Sequence, residues 1–90
     1  MPRYLVEQTF AEQLNVPANE AGAQWIQTIL GNDALDGVTW LHSYVSADRR
    51  RMYCVCDAPS PEAVRRAAHR NSLPVDRITE VRVLDPYFLR

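Results

Sequence analysis

His42, Cys54, Cys56, Glu7 and Glu80 are the side chains of this sequence whose types could do chemistry together. Imidazole and thiolate form the donor set that zinc, nickel and copper favour, and a carboxylate from Glu7 or Glu80 can complete the sphere. The same groups can also make and break bonds. Cys54 beside His42 would form a thiolate–imidazolium nucleophile, and Glu80 beside His42 an acid–base pair. No spaced ligand motif of the CxxC and HxxxH kind is present, and an ordinary structural explanation competes. His42 then hydrogen-bonds within a sheet, and both cysteines are small buried hydrophobes. His69 stands among Arg and Ala and reads as a solvated helix histidine.

Which of these groups meet depends on the elements that carry them. Residues 3–10 are rich in aromatic and β-branched types and read as a strand. After a connection containing Asn15 and Pro17, the spacing turns helical from about Ala18 to Leu30. Gly22, Trp25, Ile26, Ile29 and Leu30 fall on one stripe, Asn19 offers a cap, and Gly31-Asn32 a left-handed stop. Residues 37–46 and 50–57 read as two strands of a hairpin turning at Ala47-Asp48-Arg49. Ser60-Pro61-Glu62 then opens a second helix that runs to about Asn71, where Pro74 bars continuation. Residues 77–85 alternate as a last strand, and 86–90 form a tail. Strand, helix, strand, strand, helix, strand describes two βαβ halves in one domain, 1–90. The expected fold is α+β: a ferredoxin-like βαββαβ sandwich, with two helices on one face of a four-stranded antiparallel sheet.

Alternation sorts each strand into two faces. In the hairpin, Leu41, Val45, Tyr53 and Val55 suit the floor beneath the helices. Trp40, His42, Tyr44, Met52, Cys54 and Cys56 would then lie on the open face. This separation requires a turn with an odd number of residues and sets His42 opposite Cys54; a two-residue turn would pair His42 with Tyr53. In the last strand Val81 and Val83 suit the helix side, Glu80 and Arg82 the open side. In the first, Tyr4, Val6 and Phe10 form the buried set and leave Leu5 and Glu7 open, although Leu5 argues for the reverse. Such an open face is too aromatic to stay bare, so a second copy should cover it and enclose the polar groups in a shared cavity.

Composition narrows the possible functions. Ninety residues bury a thin core, which also favours dimerisation. A net charge of −1 argues against a nucleic-acid binder. No run reaches the roughly 18 apolar residues of a membrane span, and no basic leader precedes an apolar stretch, so a cytoplasmic protein without membrane attachment is expected. Both cysteines should be free thiols, since neighbours two apart on a strand bridge poorly. All ten basic residues are Arg, which fits a codon bias; acidic residues scattered among them make solvated faces. With three glycines and no phosphate cradle, oxyanion element or strained turn in view, binding is favoured over catalysis.

Four strings carry a family resemblance: Pro2-Arg-Tyr-Leu-Val-Glu, Gly37-Val-Thr-Trp-Leu-His-Ser-Tyr-Val-Ser, Cys54-Val-Cys-Asp-Ala-Pro-Ser-Pro-Glu-Ala-Val-Arg and Leu73-Pro-Val-Asp-Arg-Ile-Thr-Glu-Val. Together they span nearly the whole chain. The sequence resembles a family of small bacterial ferredoxin-like proteins, formerly of unknown function, to which nickel binding is attributed. The resemblance implies a ferredoxin-like homodimer and a metal-binding role. Cys56 departs from the family pattern, where Tyr is expected, so its thiol is no inherited ligand. The combined expectation is a homodimer that binds nickel or another divalent transition metal, with His42 foremost, then Cys54, Glu7 and Glu80. The tail residues Tyr87, Phe88 and Leu89 would cover the partner. The alternative is a small-molecule-binding or enzymatic dimer, α/β-barrel-like, using His42, Cys54 and Glu80 for acid–base or thiol chemistry.

Overall fold

The computed structural model of the chain describes residues 1–88. Its elements are β1 (Arg3–Thr9), α1 (Glu20–Leu35), β2 (Thr39–Val45), β3 (Arg51–Asp57), α2 (Pro61–Arg70) and β4 (Arg77–Val81). The strands pair antiparallel in the order β2-β3-β1-β4, and the core lies between the sheet and the helices. This is the ferredoxin-like α+β arrangement that the element order predicts.

Local signals set the starts of both helices. The Ser60 hydroxyl accepts from Ala63 N–H (3.2 Å), with Pro61 in the first turn. Four small or β-branched residues of α2, Ala63, Val64, Ala67 and Ala68, face the core, so this helix can approach the sheet closely. In α1 the Asn19 side chain accepts from Gly22 N–H (3.2 Å).

The expected stop at Gly31-Asn32 is overridden, and α1 continues to Leu35. A helical glycine costs only about 1 kcal/mol relative to alanine, and tertiary bonds hold the extra turn. Asn71 of α2's cap accepts from Asn32 Nδ2 (2.8 Å) and donates to Asp33 Oδ1 (2.9 Å). The left-handed residue that ends the helix is Gly37, φ 70°. At the other end, β4 stops at Val81 instead of 85, because β1 offers no partner beyond Arg3.

The facing of the hairpin corrects the sequence expectation. Cys56 stands opposite Tyr4, Cys54 opposite Val6 and Met52 opposite Gln8. Directly paired residues share a face, and Tyr4, Val6, Met52 and Cys56 are all buried beneath the helices. The cysteines therefore pack inward, while Tyr53 and Val55 look outward. Val45, paired with Met52, keeps the expected helix side. The turn holds an even number of residues: Ser46 pairs with Arg51 through its N–H (2.9 Å), and Arg49 takes a left-handed φ of 59°. A β-bulge between Trp40 and His42 then inserts one residue. It leaves Trp40 opposite Cys56 inside and His42 opposite Val55 outside, although both positions are even. In β4 it is Ile78, opposite Val6, that joins the core, and Glu80, opposite Tyr4, shares the helix side. Val81, opposite Arg3, faces outward, and Val83 lies exposed beyond the strand. The first strand follows the primary expectation for Tyr4 and Val6.

Candidate functional site

The sheet divides the four expected ligands into two pairs. On the open face, His42 is exposed and meets Tyr44 edge-on, ring centroids 5.4 Å apart. Behind it run Val55, Leu5 and Thr79, one residue from each successive strand. The next row is Tyr44, Tyr53, Glu7 and Arg77, so Glu7 is on His42's face, two strands away and one row along. Arg3 and Asp57 close this face with a two-pronged ion pair (2.9 and 3.3 Å), and the guanidinium's hydrogen bonds hold the Asp57 carboxyl below its ordinary range.

Cys54 and Glu80 belong to the other side. Glu80 is exposed at the margin of edge strand β4. Cys54 lies half-buried at the centre of a hydrogen-bonded chain that crosses three strands. Trp40 Nε1 donates to Ser43 Oγ (2.8 Å), Ser43 Oγ donates to Cys54 Sγ (3.0 Å), and Cys54 Sγ donates to Gln8 Oε1 (3.2 Å). Burial pushes the Cys54 thiol up, and the Cys56 thiol up to about 12, with Cys54's proximity adding to the latter. Both are protonated thiols at neutral pH. The expectation that His42 faces Cys54 is thus corrected: they lie on opposite sides of the sheet. The paired thiolate–imidazolium and Glu80–His42 arrangements lapse for the same reason. Among the described residues no group of three or more His, Cys, Asp and Glu is close enough to hold a metal ion. Imidazole and carboxylate on the open face are suitable donors for a divalent metal; with Asp57 taken up by Arg3, His42 and Glu7 are the two that one chain offers among the described residues.

Beneath the helices lies a cavity of about 50 Å³ that the sequence reading did not foresee. Its polar groups are Gln8, Asp33, Cys54 and Asn71. Asp33 is only 7% exposed, and burial lifts its carboxyl to about 6 against the opposing hydrogen bond from Asn71. A signal for it exists in the sequence. Gly22, Ile26, Ile29 and Asp33 continue one helical stripe, so Asp33 occupies an apolar position; ending the helix at Leu30 hid this. Of the tail, Tyr87 and Phe88 are exposed, and Leu89 lies outside the described residues. No helix among those residues is long and apolar enough to cross a membrane.

No curated protein matches the chain. The crystal structure of SCO4226 from Streptomyces coelicolor A3(2) superposes with a TM-score of 0.74 at 20% identity, covering 92% of this chain and 99% of that one. At that identity the likeness speaks for the fold. Residues 4–81 match the family described as nickel responsive protein SCO4226-like. With all but the two ends of the chain matched, the chain belongs to the SCO4226-like family.

Proposed function

We propose that the protein is a cytoplasmic homodimer that binds a divalent transition metal, nickel foremost, on its open sheet face. The observation that carries this is the position of His42: an exposed imidazole on a face with Tyr44, Tyr53, Leu5 and Val55, with Glu7 on the same side. The family's description as nickel responsive supports the metal. Two donors per chain do not fill a sphere, whereas His42 and Glu7 of two chains supply four nitrogen and oxygen donors, a set suited to Ni(II). A twofold partner would also cover the aromatic residues that one chain leaves in water. Cys54 and Glu80, behind the sheet, take no part in this arrangement.

Calorimetric titration of untagged protein with Ni(II) tests the reading, since a tag brings histidines of its own. His42→Ala should weaken binding at least tenfold, about 1.4 kcal/mol, with an unchanged melting temperature. Glu7→Gln should weaken it too, and Cys54→Ala should not. Wild-type nickel affinity in both His42→Ala and Glu7→Gln overturns the proposal.

A further inference from the structure

Asp33 is an anomaly within the core. The residue is more than nine-tenths buried, and Asn71 Nδ2 is the side-chain hydrogen-bond donor to its carboxylate (2.9 Å). The two arginines that α2 directs toward α1, Arg66 and Arg70, both pair with Asp36 (3.3 and 3.4 Å). Arg3, the cation of the remaining ion pair among the described residues, is bound to Asp57. A buried carboxylate without a counter-charge is costly. The last turn of α1 adds to the imbalance: helix carbonyls there carry partial negative charge, and the turn has no basic residue of its own. Asparagine at this position would avoid the charge and still accept from Asn71.

The cavity described above adjoins this carboxylate. Val6, Ile29, Val64 and Leu73 form its apolar wall. A cavity of about 150 Å³ holds benzene, so this one of about 50 Å³ has room for two or three non-hydrogen atoms. One carboxylate in a lining that is otherwise uncharged and mainly apolar selects a cation with a short apolar body. A divalent metal would find one carboxylate, amides and protonated thiols, too few hard oxygen donors to replace its water.

We infer that this cavity binds a small primary ammonium ion of one or two carbons, its ammonium group on Asp33 and its alkyl group against Ile29 and Val64. The site is separate from the open face, on the opposite side of the sheet. Binding needs the ionised carboxylate, so it should weaken as pH falls below about 6. The ionisable groups around Asp33 are Asp36 at the cap of its helix and Cys54 and Cys56 from β3; α2's cap presents Asn71, β1 Gln8 and β2 Trp40. Both thiols stay protonated across that range, and Asp36 is ion-paired with Arg66 and Arg70.

The test is a nuclear magnetic resonance titration of the full chain with methylammonium chloride. Sodium chloride controls for ionic strength, methanol is the neutral isostere, and tetramethylammonium is too large. Saturable shifts are expected at the Asn71 side-chain amide and the Trp40 indole N–H, with Kd of the order of millimolar for so few atoms. Methanol and tetramethylammonium should give none. Lowering the pH from 8 to 5 should raise Kd about tenfold, and Asp33→Asn should abolish the shifts. Intermolecular Overhauser contacts from the ligand methyl to the Ile29 and Val64 methyls, measured on wild type, place the ligand without relying on a variant. Linear shifts without saturation, equal shifts with methanol, or no contact to Ile29 and Val64 would each overturn the inference.

Discussion

Cys56 shows how burial changes what a residue type means. Beneath the helices its thiol rises to about 12 and Cys54's rises as well, so two side chains that look like nucleophiles or ligands in the sequence behave as small core residues. The native protein at pH 8 should therefore react with a thiol reagent far more slowly than the unfolded chain. In denaturant without reductant both thiols should titrate; fewer than two would contradict the free cysteines of the structure. Asp33 offers a second residue-scale prediction. Its carboxyl rises from the ordinary 3.8 to about 6 on folding, so between those values the folded state holds the proton more tightly than the unfolded one. Its contribution thus favours folding below about pH 4 and is lost as pH climbs through 6, at most about 3 kcal/mol. Asp33→Asn should melt higher than wild type at pH 8, and the gap should close by pH 4. A gap independent of pH would mean that packing, and not charge, governs this position.

Among the elements, α1 is pinned at both ends. At its start the chain folds back so that the Pro17 carbonyl occupies the space a Gly22 side chain would need. Gly22→Ala forces this backbone apart and should cost 2 kcal/mol or more, measured as a fall in the denaturant midpoint. Gly31→Ala, with nothing near its missing side chain, should stabilise by up to about 1 kcal/mol through helix propensity. The contrast explains which element boundaries were legible. Asn19 and Ser60 announce their helices because capping is a bond between neighbours in sequence. The end of α1 was not legible, because Asn32 and Asp33 are held by Asn71, a residue 38 positions from Asp33. The end of β4 was hidden for a similar reason: its alternation continues in sequence after β1 has run out of partners.

For the molecule as a whole, the proposed dimer makes a simple prediction. Light scattering at tens of micromolar should give twice the 10.3 kDa chain mass, with an interface near the standard 1,600 Å² or about that size. Tyr44 is 64% exposed on the open face, so Tyr44→Arg should yield a monomer with unchanged circular dichroism. A wild-type monomer would sink the dimer. By itself the sequence determined the six elements, their order and hence the sandwich, since propensity, capping and hydrophobic period act over a few residues. It favoured one face for His42 and Glu7, but with the hairpin register and the facing of the first strand both open, the strand pairing was needed to put them together. Only the tertiary structure decided that Cys54 lies behind the sheet, that Trp40 and His42 part company, and that Asp33 enters the core. The physical reason is that side-chain direction in a strand has period two. One bulged residue and one even turn reverse it without leaving a mark in composition, and a cysteine suits either face until its cross-strand partners, Tyr4 and Val6, choose for it.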